Sequence, residues 1–335
     1  MWPHPKTRCR SKKKIDSESL TETNLISQLE IRIGGSPDEE DLIFTDLKPT
    51  QLSAELSKMG TPVSARPIAS WLRAAGVRLR SISKTIAGGE SPNRDAQFKK
   101  IGSLIKKYES RGNPWFSVDT KAKKRLGRLY RKGRAYCSAA FKAFDHDFPS
   151  WADGVVIPHG IYDQRLNLGH INLGLSRDTS EFACESFLSF WNRFGKKRYP
   201  DATSILLTCD GGGSNPAGKH LFKCDLQTLA NAIKLPIRIA HFPSYCSKYN
   251  PIERRFFPHI GRACEGMLFD SLERVVDLMR RAKTRKGLRT TVNTIGKDYE
   301  IGRVATDAMK KAVKIRYDVK VPKWNYTIRP ECATK

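Results

Sequence analysis

The sequence lacks any apolar run approaching the roughly 18–20 residues that a transmembrane helix needs. Its opening, MWPHPKTRCRSKKK, is basic but has no apolar segment behind it, so it does not read as a secretory signal. The 8 cysteines are scattered from Cys9 to Cys332 and none forms a C-x-x-C pair, which argues against a zinc ribbon or finger. In a chain without a signal they read as reduced thiols of a cytosolic protein. No internal repeat and no long low-complexity segment occurs. Acid is also scarce. Sixty Lys and Arg stand against 34 Asp and Glu, a net charge of +26, with a pI near 9.9. A soluble protein of that charge has a polyanionic partner, most often nucleic acid.

The charge is uneven. Residues 271–335 and 111–270 each carry a net +10, although the former segment is less than half as long. The densest stretch, KAKKRLGRLYRKGR over 121–134, has eight basic residues in fourteen and no acid. Such a run is either a solvated surface or a strip that contacts phosphates beside a site, with Lys121, Lys123, Lys124 and Arg128 as the contacts. The second reading is preferred.

Pattern divides the chain into four parts. Residues 1–44 read as a basic, mobile start with one short helix near Glu22–Ile31, broken by Gly34-Gly35-Ser36-Pro37. Residues 45–110 contain a candidate helix-turn-helix and a connecting helix. Leu52 and Leu56 are four apart, and Gly60 can stop that helix. Ser64 can cap a second helix that tolerates Pro67 in its first turn and puts Ile68, Trp71, Leu72 and Ala75 on one face before Gly76. Arg66, Ser70 and Arg73 fall off that face, where they can reach DNA. Arg78, Arg80 and Lys84 follow as candidate phosphate contacts. A plain helical hairpin has the same pattern.

Residues 111–270 change texture. Trp115–Val118 reads as an apolar strand ending at Asp119, and residues 133–144 as another strand. Val155–Tyr162 and His170–Leu175 form a hairpin around QRLNLG. A helix over Thr179–Phe194 carries an aromatic stripe that reads as core. Ile205–Cys209 is a buried strand ending at Asp210. A helix near Leu221–Ile233, a strand at Ile237–His241 and a helix from Pro251 complete the order. The expectation is an α/β fold, a ribonuclease-H-like mixed sheet flanked by helices, preceded by a small all-α helix-turn-helix domain. Residues 271–335 read as a basic C-terminal extension.

Asp119 and Asp210 stand at the carboxyl ends of strands, where ligand sites in open α/β sheets gather. Their strands can be neighbours in such a sheet. Gly211-Gly212-Gly213 leaves the Asp210 carboxylate uncrowded. Either aspartate can instead serve a turn. Glu253 follows Asn250 and Pro251 at the positions of a capping box, so it can simply close a helix start. It can equally share a metal with the two aspartates, since acid oxygens suit Mg²⁺ and Mn²⁺. His241 is a candidate support for that site. His146, Asp147 and His159 read as structural or surface residues, Asp163 as a turn residue, Asp178 and Glu181 as helix-start acids, and Cys209 as packing on the opposite face of its strand.

The blocks SVDTKAKKRLG, IPHGIYD, GLSRDTSEFACESF, LLTCDGGGSN, HFPSYCSKYNPIERRFF and KWNYTI, with PVSARPIASWLRAAG and SPNRDAQFKKI upstream, resemble the Rhodopirellula-type DDE transposases of bacterial insertion sequences. The resemblance runs over roughly residues 34–330 by block order. It implies Asp119, Asp210 and Glu253 as an acid triad holding Mg²⁺, with Mn²⁺ able to substitute. It implies DNA partners (element ends and target DNA), no membrane, a homo-oligomer on DNA, and a cytoplasmic, nucleoid-associated location. It further implies that water attacks first and that the freed 3′-hydroxyl then attacks target DNA, with no covalent enzyme intermediate. Ser247, Lys248 and Asn250 sit where they can steady DNA or the Glu253 helix. The alternatives are a non-catalytic remnant that only binds DNA and a nuclease or resolvase on the same core.

Overall fold

A computed structural model of the chain describes residues 20–21, 23–25, 27, 33–36, 39–45, 47–74, 76–80, 93–211, 219–244 and 246–331. They fall into two units that divide after Thr85. The basic start before Leu20, together with Ala75, Lys84, Gly212 and Gly213, lies outside them.

In the first unit, residues 23–25 and 27 of the helix expected near Glu22–Ile31 are helical, and so are Leu20 and Thr21 before it; the rest of that range lies outside the described residues. The Gly-Gly-Ser segment then does more than break a helix. Ile33–Ser36 (β1) pairs antiparallel with Glu39–Thr45 (β2), Ile33 facing Thr45. The run LIFT in β2 has the β-branched and aromatic character that a strand favours. Two helices follow, Pro49–Lys58 (α1) and Ala65–Ala74 (α2). Leu52 and Leu56 of α1, Ile68 and Leu72 of α2, and Leu25 form one buried cluster. Gly60 ends α1 with φ of +75°, a conformation that glycine adopts without strain. Thr61 N–H then donates to Leu56 O at 2.9 Å. Arg66, Ser70 and Arg73 are exposed on the far side of α2 from that cluster.

The second unit is built on nine strands among the described residues. Eight run in the order β10-β11-β8-β7-β3-β5-β6-β9. They are Trp115–Thr120 (β3), Gly154–Asp163 (β5), Leu168–Gly174 (β6), Ile205–Cys209 (β7), Ile237–His241 (β8), Arg289–Ile295 (β9), Ile315–Tyr317 (β10) and Asn325–Ile328 (β11). The ninth, Lys124–Leu126 (β4), pairs with the outer end of β5. β3, β5 and β6 are antiparallel neighbours, while β3–β7 and β7–β8 are parallel. This is the ribonuclease-H-like arrangement, with helices on both faces.

Alternation along β3 assigns the layers. Phe116 and Val118 pack with Leu207 and Cys209 of β7 against the helices Ser180–Phe190 (α4) and His220–Ile233 (α5). Trp115, on the other face, packs with Leu206 and Ala240 against Ile101, Leu104 and Tyr108 of Arg94–Ser110 (α3). The same face also carries the short helices Pro251–Arg255 (α6) and Phe257–Ala263 (α7), and Leu272–Arg280 (α8).

Four expectations change. Residues 133–144 form no strand; the segment is largely exposed and lacks a partner edge, so its apolar letters do not pair. The helix counted with the helix-turn-helix, α3, belongs to the large sheet by packing. Residues 271–335 are no appendage, because β9, β10 and β11 complete the sheet at both edges. Asp318 accepts from both Lys100 and Arg238, tying this segment to α3 and β8. Finally, α4 ends at Phe190 and continues as a π turn over Trp191–Gly195.

Two glycines set how closely α6 and α7 approach the sheet. A Cβ on Gly169 would lie 2.1 Å from the Phe256 ring, and one on Gly160 would lie 2.5 Å from the Phe257 ring. The fully buried rings therefore rest directly on backbone of β5 and β6. Overpacking of this kind costs about 1–3 kcal/mol, so Gly169→Ala lowers stability by that order in denaturant titration. Gly102, in α3, has open space around its Cβ position, so Gly102→Ala leaves stability unchanged or raises it by roughly 0.5–1 kcal/mol.

Candidate active site

β3 and β7 run parallel with Ser117 opposite Thr208, so the two carboxyl-terminal ends finish side by side. Asp119 lies two residues beyond Ser117 and Asp210 two beyond Thr208. Both carboxylates therefore share the face that carries α3 and α6. Glu253 comes to the same point from α6, and all three acids are half-buried.

The capping explanation of Glu253 does not hold. A capping box needs the Asn250 N–H, and that group already donates to Ser247 O at 2.8 Å. Asn250 stands at the N-cap position, yet its side chain caps nothing. Buried completely, it turns towards the sheet. Its Oδ1 accepts from Ser117 Oγ, and its Nδ2 points to Asp210 Oδ1 and Val118 O, each at 3.5 Å. Ser117 Oγ in turn accepts from Ile252 N at 3.0 Å, which satisfies one of the orphan donors of the helix start. One serine and one asparagine thus lock α6, β3 and the Asp210 carboxylate together. Of the two roles open to Asn250, steadying DNA or steadying the helix, its burial fits the second.

The acids suffer from their proximity. Burial, and then the charges of Asp210 and Glu253, push the Asp119 carboxyl up to about 8, and a hydrogen bond with Glu253 adds to the rise. Burial and the charge of Glu253 raise Asp210 to about 6. Among the described residues no three metal-binding side chains close into a cage. The donor set is nevertheless all carboxylate oxygen, the kind hard divalent cations take, and its mutual repulsion is what such a cation relieves.

Supporting groups surround the triad. His241 is fully buried, and its Nδ1 lies 3.1 Å from Asp210 O while its Nε2 lies 3.3 Å from Tyr326 Oη. Burial lowers it to about 4, so it stays neutral near pH 7 and fixes the end of β7. Thr120 Oγ1 donates to Asp178 Oδ1 at 3.3 Å. This bond ties the segment before α4 to the end of β3. Cys209 packs on the opposite face as expected. Asp163 is buried, accepting from Leu166 N and Tyr199 Oη. His159 is buried and bonded to Ser186, while Glu181 pairs with Lys297 and Arg303.

The basic strip begins two residues after Asp119. Lys121 stacks over the Phe257 ring at 5.1 Å. Lys123 and Arg128 are exposed. Lys123, Lys124, Arg125 and Arg131 line an open cavity of about 410 Å³. Ser247 and Lys248 are exposed on the turn before α6. Among the described residues six cysteines are free thiols, and no helix is long and apolar enough to cross a membrane.

A family model described as the Rhodopirellula transposase DDE domain matches residues 25–330. No curated protein matches the chain. Similar solved structures include the Mos1 transposase paired-end complex with left transposon end, 14% identical, covering 82% of this chain and 71% of that one with a TM-score of 0.42. The Mos1 Strand Transfer Complex is 14% identical, with coverages of 85% and 75% and a TM-score of 0.43. The Mos1 mariner paired end complex with Mn is 16% identical, with coverages of 82% and 71% and a TM-score of 0.41.

The raised carboxyls set a pH dependence. Between the ordinary value of 3.8 and about 8 the folded Asp119 holds a proton that the unfolded chain has released. Metal-free stability is therefore highest at low pH with respect to this group and falls as pH rises across that window, by a few kcal/mol at most. Asp119→Asn flattens the fall, and millimolar Mg²⁺ raises the melting temperature more at pH 8 than at pH 5. A melting temperature for the parent protein that rises steadily from pH 4 to 8 without metal contradicts this electrostatic account.

Proposed function

The chain belongs to the Rhodopirellula transposase DDE family, and we propose that it is a catalytically competent transposase that cuts DNA at the ends of its element and joins them to a target. The observation that carries this reading is the convergence of Asp119, Asp210 and Glu253 on one half-buried point beside a strongly basic surface.

In this reading the three acids hold Mg²⁺ or Mn²⁺. The bound ions supply Lewis-acid stabilisation of the attacking and leaving oxygens in phosphoryl transfer. The chain's own residues do the rest. Asn250 orients the Asp210 carboxylate, and Ser117 holds the helix that presents Glu253. Neutral His241 anchors the backbone of Asp210 without adding charge. Lys121, Lys123, Lys124, Arg128 and Lys248 hold DNA backbone over the acids. Water attacks the scissile phosphorus and releases a 3′-hydroxyl, which then attacks a phosphorus of target DNA, displacing a 3′-oxygen there. Arg66, Ser70 and Arg73 on the outer face of α2 supply recognition of the element ends, and the working form is a homo-oligomer on DNA.

The test is an end-cleavage assay with purified protein, labelled element ends and Mg²⁺ or Mn²⁺. Asp119→Asn, Asp210→Asn and Glu253→Gln each reduce cleavage by about a hundredfold or more, while DNA binding persists or tightens because a negative charge has gone. A Glu253→Gln protein that cuts at the parental rate would falsify the role of Glu253. A parent protein that binds ends but never cuts them favours the remnant that only binds DNA.

DNA contacts separate by their salt dependence. Replacing Lys123, Lys124 and Arg128 with Gln weakens specific and random DNA alike and flattens the salt slope by roughly one unit per lost contact. Arg66→Ala and Arg73→Ala instead lower the preference for element ends by about 1–3 kcal/mol per lost base contact. An unchanged specificity ratio in both arginine variants at fixed salt removes α2 as the recognition helix.

A further inference from the structure

The block Lys323–Ile328 (KWNYTI) contains β11, which lies antiparallel to β8 with Tyr326 opposite Ile239. His241 is two residues further along β8, on the same face as Ile239. That diagonal is within reach of a long aromatic side chain, and Tyr326 Oη comes within 3.3 Å of His241 Nε2. The backbone adds a second tie, because His241 N–H donates to Trp324 O at 2.9 Å. Both Tyr326 and His241 are completely buried.

Their partners fix where each proton sits. Nδ1 of His241 lies 3.1 Å from the backbone carbonyl oxygen of Asp210. A carbonyl only accepts, so Nδ1 carries the hydrogen. The ring is neutral near pH 7, which leaves Nε2 with a lone pair. Burial pushes the Tyr326 hydroxyl well above its ordinary value, so it keeps its proton and is the donor. The order is therefore Tyr326 O–H to Nε2, then Nδ1–H to Asp210 O. The opposite tautomer faces a bare Nδ1 with a carbonyl oxygen, lone pair against lone pair.

Asp210 stands where such an anchor matters. It lies just past Cys209, the last residue of β7, and a glycine follows it. β7 pairs with β8 as far as Cys209 opposite His241, and Phe242 N–H donates to Cys209 O at 2.9 Å. The His241 contact carries the tie one residue further, to Asp210 itself.

Resting on the reading of Asp119, Asp210 and Glu253 as metal-holding acids, we propose that Tyr326 is a positioning residue for that site. Its hydroxyl fixes the tautomer of His241, and the ring then holds the Asp210 backbone so that the carboxylate is presented to the metal. The terminal block is in this way part of the catalytic machinery, although it touches neither metal nor DNA. Losing a group that orients a metal ligand lowers metal affinity or activity by roughly 10–100-fold.

The experiment compares Tyr326→Phe, which removes one hydroxyl, with Thr327→Val. Thr327 is the next residue of the same strand, on its other face, and accepts from Arg238 Nη1 at 3.2 Å, so its loss costs the strand a hydrogen bond without touching His241. Mn²⁺ affinity is measured by electron paramagnetic resonance on the full chain without DNA, and the site is identified by its loss in Asp119→Asn. Tyr326→Phe lowers that affinity about tenfold and raises by a similar factor the Mg²⁺ needed for half-maximal cleavage of element ends, while saturating Mg²⁺ restores the rate. Its affinity for end DNA is unchanged, and Thr327→Val keeps the parental Mn²⁺ affinity. Ring-nitrogen NMR of the histidine-labelled parent shows His241 protonated at Nδ1 and bare at Nε2. Parental Mn²⁺ affinity in Tyr326→Phe, an equal fall in Thr327→Val, or the reverse tautomer in the parent each overturns the proposal. A parent that binds Mn²⁺ at the acids but never cuts DNA overturns the transposase reading, and the Mn²⁺ affinities still decide the role of Tyr326. A parent with no Asp119-dependent Mn²⁺ site overturns both.

Discussion

The parallel pairing of β3 with β7 is the constraint on which the rest of the second unit depends. It makes two strands from distant parts of the chain end together, Ser117 level with Thr208, and so places two carboxylates where a sheet edge leaves backbone and solvent accessible. Parallel neighbours cannot be joined by a tight turn. The hairpin of β5 and β6, followed by α4, supplies the long connection between them. Of those elements, α4 covers Phe116, Val118 and Leu207 on one side, while α3, which precedes β3, covers Trp115 and Leu206 on the other. The site therefore stands on strands held from both faces, not on a free loop.

Bringing acids together is unfavourable without a counter-charge, and the burial and repulsion felt by Asp119 and Asp210 show that this structure accepts the penalty. What holds the third acid in place is neutral. Ser117, Asn250 and the backbone of Ile252 exchange hydrogen bonds in a buried pocket, and the rings of Phe256 and Phe257 rest against Gly169 and Gly160, in that order. Close packing and fully partnered polar groups thus position a charge that electrostatics would otherwise push away. Charge of the opposite sign is kept outside this shell, on β4 and the loop after it, where it faces solvent.

The division of labour within the chain follows from packing. A small helical core of Leu25, Leu52, Leu56, Ile68 and Leu72 leaves one helix face polar and basic in the first unit. In the second, β9, β10 and β11 close the sheet at its two edges, and Asp318 ties the last part of the chain to Lys100 and Arg238. A segment that is strongly basic overall is here also structural, because its alternate residues pair and pack while the charged ones face outward.

Much of this was legible in the residues. Strands ending at Asp119 and Asp210 announced themselves as short apolar runs bounded by polar letters, and Ile205–Cys209 and Ile237–His241 fall where the pattern put them. The helix pair of the first unit was equally plain from its leucine spacing and its glycine stops. Other features were not. The segment 133–144 has a strand's composition but no partner, and strand formation is decided by pairing, which a local pattern does not contain. β1 and β2 hid behind glycines, and β9 to β11 behind a charge excess. Asn250 reads as a helix cap in sequence, and only the approach of β3 turns its side chain inward. The sequence by itself determined which acids were available, where the strands that carry them run and how basic their surroundings are. Tertiary structure alone decided that Glu253 meets them and that residues of Lys121–Arg134 line an open cavity, because both depend on close contacts between segments more than a hundred residues apart or on the register of one strand against another.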